Sequence, residues 1–206
     1  MKTQPTYKVC RRLGAGLFDK CQTQKYTLSE ARHEKGRRGG RRRNISDFGK
    51  QLLEKQRVRF AYGISERQLR RIVEEAFRVA TLGADPVARM IEELECRLDN
   101  AVYRAGLAST RRAARQLVSH GHVEVNGTRT TVPSYTVKEG DTFTLRARTS
   151  KLPIMEHIKE HLSNATAPVW LAFDAKQFTA KVTARPTADN TEMVGDVRAI
   201  LEYYSR

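Results

Sequence analysis

At 206 residues, with 38 Lys/Arg against 23 Asp/Glu, the chain carries a formal net charge of +15 and has length for one or two domains with a proper core. It has no run of about twenty apolar residues, which excludes a transmembrane helix, and no apolar stretch after Met1 of the kind a secretory signal needs. Its three cysteines are too few for a disulfide scaffold and fit a reducing cytoplasm, the expected location.

The charge is spread unevenly. Residues 1–60 hold 17 Lys/Arg against 5 Asp/Glu, so +12 of the +15 sits there on a nearly balanced body. That distribution is the footprint of a polyanion binder; adsorption to a membrane would need an apolar face that the basic segment lacks. Residues 1 to about 45 read as an extended basic arm with little regular structure. It contains Arg11 and Arg12, and the Gly36–Arg43 run adds Arg37, Arg38, Arg41, Arg42 and Arg43 among three glycines. Such a segment is expected to order only against a polyanion.

Helical spacing begins after Ser46, with Leu52, Leu53, Gln56 and Phe60, and stops at Gly63. Ser65-Glu66-Arg67-Gln68 has the form of a capping box ahead of an apolar stripe from Leu69 to Ala80. Asp85-Pro86 starts another helix, and Leu98, Val102 and Ala105 suggest one more. Ser109 to Ser119 predicts a short helix with serine as its cap. On it, Arg111, Arg112 and Arg115 face away from Ala113, Ala114, Leu117 and Val118. Guanidinium groups on one rigid face are fixed forks for phosphate oxygens, which makes nucleic acid the leading partner.

Asn126-Gly127, between Val123–Val125 and Thr128–Thr130, is a strong hairpin signal. Residues 137–141 predict a second turn and 142–146 a further strand. A helix over 153–162, strands over 169–173 and 178–183, and a last helix over 195–204 complete an α+β chain.

Three blocks carry a family resemblance: Ile45–Gln68, Arg97–Gly127 and Leu201–Arg206. Together they resemble the family of small ribosomal subunit protein four, bacterial or organellar type. The resemblance implies an extended arm over 1–45 and a helical domain over 46–96 that is completed by 166–206. Between these it implies an inserted αα-β RNA-binding module over 97–165, with a hairpin and short sheet. It also implies that the protein binds small-subunit ribosomal RNA at a 5′-domain junction, early in assembly. The implied neighbours are ribosomal proteins three and five and messenger RNA near the channel by which it enters, with an influence on decoding accuracy.

Expected RNA contacts in the helical domain are Lys50, Lys55, Arg57, Arg59, Arg67, Arg70 and Arg71, some of which should instead pair with nearby glutamates. In the module they are Arg111, Arg112, Arg115, Gln116, Ser119 and His120. Asn126 and Gly127 are assigned to the turn.

No cofactor and no metal are expected. Some relatives carry a four-cysteine zinc cluster in the arm, but here only Cys10 and Cys21 lie there, and His33 would bring at most a third ligand. His157 and His161 are spaced like paired ligands, yet no third ligand is evident nearby. Gly14-Ala15-Gly16 follows no strand and lacks a third glycine, so it makes no dinucleotide loop. No nucleophile elbow or P-loop occurs. An RNA-modifying enzyme built on the same module would need a catalytic domain for which the chain has no room; a free regulatory RNA-binding protein is the other alternative.

Overall fold

The computed structural model describes residues 6–35, 45–147, 149, 167–174 and 177–206. These fall into two units, Met1–Glu74 with Val194–Arg206, and Glu75–Met193. The arginine–glycine run at 36–43 and the helix expected over 153–162 lie outside the described residues.

In the first unit, α1 (Thr6–Leu13) and α2 (Gln24–Lys35) are helices, which corrects the expectation of an extended arm with little regular structure. The reason is local. Val9, Cys10 and Leu13 share one face of α1 and are buried, and Cys10, Cys21 and Tyr26 form a small core against Tyr7 and Phe18. High charge density hid this short apolar spacing. Cys10 and Cys21 are joined by a disulfide, with Cα atoms 6.5 Å apart. Eleven residues of separation in a three-cysteine chain do not announce that pairing.

α3 (Asp47–Ala61) starts at Ser46, whose hydroxyl accepts from the Gly49 amide at 3.3 Å. Its buried positions are Gln51, Lys55, Val58 and Ala61, a helical face that includes two polar residues. α8 (Val197–Tyr204), capped by Asp196, packs along α3. α4 (Glu66–Ala80) opens with the expected capping box. The Gln68 amide donates to Ser65 Oγ at 3.2 Å, and the Ser65 amide donates to Gln68 Oε1 at 3.1 Å.

The second unit contains α5 (Pro86–Glu95), α6 (Leu98–Arg104) and α7 (Arg111–Ser119). Asp85 caps α5, as expected. The cap of α7 is Thr110 in place of a serine, its hydroxyl accepting from the Ala113 amide at 3.1 Å. The strands β1 (Val123–Val125), β2 (Thr128–Thr130), β3 (Thr142–Leu145), β4 (Leu171–Asp174) and β5 (Thr179–Val182) form one antiparallel sheet in the order β2-β1-β3-β5-β4.

Asn126 and Gly127 both take positive φ, 50° and 77°, as the tight hairpin requires. Phe143 pairs with Ala180 across β3 and β5, so β4 and β5 belong to the module's sheet. That differs from the expected division, in which everything after 165 completed the helical domain. Strands that pair only across a long gap in sequence give no local sign of their partner. One apolar cluster runs from α6 and α7 under the sheet, centred on Leu98, Leu107, Val118, Phe143 and Trp170, all fully buried.

Candidate nucleic-acid interface

α7 is held by polar groups on its inner side. Arg111 Nε donates to Asn100 Oδ1 at 2.8 Å, and its guanidinium lies 4.5 Å from the centre of the Tyr103 ring. Asn100 Nδ2 donates to Glu95 Oε2 at 2.9 Å, and Arg104 makes a two-point contact with the same carboxylate at 2.9 and 3.0 Å. Arg97 clamps Asp99 in the same manner, at 3.1 and 2.8 Å, with both residues buried. Arg115 Nη1 comes within 4.0 Å of Asp99. Buried charges of this kind persist because each has a partner with hydrogen-bonding geometry.

The three arginines expected on one outer face therefore divide. Arg111 turns inward and Arg115 sits at the edge, whereas Arg112 is exposed. Gln116, Ser119 and His120 are exposed with it, at four-, seven- and eight-residue spacings that place them on one stripe of the helix. The Ser119 hydroxyl donates back to the Gln116 carbonyl at 3.1 Å.

The hairpin adds cations that the sequence reading omitted. Arg129 is exposed on β2, and its guanidinium packs against Gly121, which sits at φ 72° just after α7. Arg146 donates to Glu124 at 3.0 Å, and the His120 and His122 rings lie 6.2 Å apart. Burial first, then the neighbouring His120, Arg146 and Arg129, push His122 below the usual histidine range. Hairpin strands that look like plain β structure do not reveal that β2 points an arginine back toward the end of α7. Asn126 bonds to Asp141 at 2.8 Å and accepts from the Thr142 amide at 2.9 Å, so its side chain serves the turn.

In the first unit the expected contacts also separate. Lys55 is only 7% exposed; its ammonium is 2.6 Å from Glu66 and stands over the Tyr203 ring at 4.4 Å. Arg59 pairs with the other oxygen of Glu66 at 2.9 Å, and the Tyr204 hydroxyl donates to Glu66 at 2.7 Å. Burial raises the Glu66 carboxyl, but the hydrogen bonds from Lys55, Tyr204 and Arg59 outweigh it and hold the group below the usual carboxylate range. Burial and the Glu66 contact push the Tyr204 phenol up.

Arg57 bridges the Leu13 carbonyl at 3.0 Å and Glu54 at 2.8 Å. Lys50 and Arg70 are exposed and pair with the exposed Asp47 and Glu74. Arg67 and Arg71 are exposed on α4, and Arg12 on α1. Arg37, Arg38, Arg41, Arg42 and Arg43 lie outside the described residues.

Among the described residues no group of three or more His, Cys, Asp or Glu could hold a metal ion. Cys96 is buried and its thiol is pushed up to about 12, chiefly by burial and then by nearby glutamates, so it is an inert side chain. No helix among the described residues is long and apolar enough to cross a membrane.

Two family models match the chain, the ribosomal protein S4/S9 N-terminal domain over residues 1–94 and the S4 domain over residues 96–143. A protein of Pelotomaculum thermopropionicum named small ribosomal subunit protein uS4 is 39% identical over 202 residues, 97% of this chain and 96% of its own length. The protein of the same name from Roseiflexus sp. is 42% identical over 206 residues, 98% of this chain and 97% of its own. The chain belongs to the uS4 family of small ribosomal subunit proteins. A third uS4 protein, from Acetivibrio thermocellus, is 38% identical over 207 residues. The uS4 family is structural rather than enzymatic, so the polar clusters around Glu66 and Glu95 are fold supports and not catalytic centres. The S4-domain match covers α6, α7 and the hairpin, the segment in which the arginine helix meets the Asn-Gly turn.

Proposed function

We propose that the protein is a primary binder of small-subunit ribosomal RNA, working in the cytoplasm as a structural constituent of the particle. It grips a helix junction of the 5′ domain early and so nucleates folding of the subunit body. The observation that carries this is the α7 stripe of Arg112, Gln116, Ser119 and His120, exposed on a helix whose inner face is locked by Asn100, Glu95 and Asp99. A row of cationic and polar side chains on a fixed helix suits RNA helices, which proteins recognise through phosphates, 2′-hydroxyls and shape because the deep groove is closed to side chains. Arg129 of the hairpin and Arg67, Arg70 and Arg71 of α4 extend the set of exposed cations. By family likeness, ribosomal proteins three and five and the messenger RNA near its way in are the neighbours, and contact with protein five bears on decoding accuracy.

The test is a titration of the full chain against a 5′-domain junction RNA and against an unrelated duplex. Arg112→Ala with Gln116→Ala should weaken junction binding on the order of tenfold and reduce the salt slope by about one, with unfolding unchanged. Equal affinity of the native chain for junction and duplex at moderate salt would remove the reading. Equimolar comigration with small-subunit particles in a gradient separates it from a free regulatory protein.

A further inference from the structure

We infer that a groove between α1 and α3 of the first unit receives one unpaired nucleotide of the bound RNA, an inference that rests on the RNA-binding reading above. The groove has a volume of about 290 Å³ and is walled by two helix faces. Its α3 wall carries Leu52, Leu53 and Phe60, all half-buried. Its α1 rim carries Lys8 and Arg12, four residues apart and exposed, neither in an ion pair among the described residues. Gln56, whose amide both donates and accepts, lines the groove as well.

Each occupant of simpler chemistry leaves part of this lining without a purpose. Inorganic phosphate has no use for the leucine floor, and an apolar peptide has none for the paired cations. A duplex is too wide for a slot between two helices. A nucleotide turned out of its stack offers a flat apolar body, a polar edge and an attached phosphate. Single-stranded and bulged RNA is recognised through that combination, by stacking on aromatic or guanidinium planes with hydrogen bonds to the base edge. Here the Arg59 guanidinium lies 5.0 Å from the Phe60 ring centre and is held by Glu66 at 2.9 Å, which gives a cationic–aromatic surface of that type.

The groove is also held open before any ligand arrives. Arg57 ties the carbonyl of Leu13, at the end of α1, to Glu54 on α3. Glu54 in turn accepts from the Asp196 amide at 3.0 Å, and the Cys10–Cys21 bond ties α1 to the segment that follows it. Preorganised walls lower the ordering cost of binding.

The experiment uses the full chain and two RNA hairpins identical except that one carries a single 2-aminopurine bulge and the other pairs that base. The bulged hairpin should bind about tenfold more tightly, and its fluorescence should change as the base leaves the helix. Gln56→Trp, which fills the groove, should reduce the bulged hairpin to the paired level without changing the paired one. Gln56→Ala, which leaves the groove open but removes the amide, should keep only part of the preference for the bulge, and a native urea-unfolding midpoint in both variants shows that they fold.

Equal binding of both hairpins by the native chain overturns the inference, as does a Gln56→Trp variant that keeps the bulge preference. Adenosine monophosphate at the concentration of the hairpin should displace nothing; displacement would make a free nucleotide the occupant and overturn it too. If both hairpins fail while the junction RNA binds, the groove proposal alone falls. If the junction RNA fails as well, the RNA-binding reading falls with it.

Discussion

A lysine buried to 7% exposure survives only if its charge is answered, and for Lys55 the answer is Glu66. The same carboxylate takes Arg59 and the Tyr204 hydroxyl, so one side chain ties α3, α4 and α8 together. Glu66→Gln keeps the shape and removes the charge, leaving Lys55 without its counterion. Because Glu66 itself is 43% exposed, solvent softens the loss, and the variant should be less stable by roughly 2 kcal/mol in urea unfolding at neutral pH. The pH dependence has a definite sign. A carboxyl lower in the folded than in the unfolded chain contributes stability above the ordinary carboxylate range and loses it as pH falls through its folded value. The acid limb of the stability curve should therefore flatten in Glu66→Gln; an acid limb as steep as the native one would show that other carboxylates set it. On α7, Arg111→Ala should destabilise the fold by breaking the Asn100 contact, whereas Arg112→Ala should leave the unfolding midpoint in place. Sequence periodicity put both on one outer face. What it lacked was knowledge that Asn100 and Tyr103 of α6 stand opposite Arg111, since helix spacing orients a side chain on its own helix and says nothing of the neighbour.

Elements with local chemistry at their ends were legible from the residues alone. The Ser65–Gln68 box, the Asp85-Pro86 start and the Asn126-Gly127 turn each encode their geometry within four residues, and each forms as expected. Legibility failed where the cause was distant or masked. α1 and α2 are stabilised by a small core around Cys10, Cys21 and Tyr26, which the surrounding charge concealed. β4 and β5 join a sheet whose nearest partner, β3, lies beyond a long intervening segment. The capping box can be weighed as a unit. Ser65→Ala and Gln68→Ala should each cost about 1 kcal/mol, and the double variant less than their sum, because each change removes part of the same reciprocal pair. Strict additivity in a double-mutant cycle would mean that the two hydrogen bonds act independently. Gly121 offers a second element-level test. At φ 72° a side chain is strained, so Gly121→Ala should cost on the order of 1 kcal/mol and displace the Arg129 guanidinium packed there.

At the scale of the whole molecule, each unit has an apolar cluster of its own among the described residues. One surrounds Trp170, Phe143 and the α6–α7 pair within Glu75–Met193, and another gathers Cys10, Cys21 and Tyr26 in the unit made of the first 74 residues and the last 13. The chain has a single tryptophan, Trp170, fully buried in the first of these interiors. Its fluorescence therefore reports unfolding of that unit, whereas helix-sensitive circular dichroism also sees α1, α2, α3 and α8 of the other. Cooperative two-state behaviour requires every probe to follow one transition, and chains with more than one core often break that rule. Glu66→Gln weakens a contact that involves α3 and α8 of the first unit, whereas Trp170 lies in the second. In urea, the dichroism transition of that variant should shift to lower concentration while the fluorescence midpoint stays within error of the native value. Arg111→Ala should do the reverse and move the fluorescence midpoint. If both probes move together in both variants, the two interiors unfold as one cooperative body, and the charge network around Glu66 stabilises the module as well as the helices it touches.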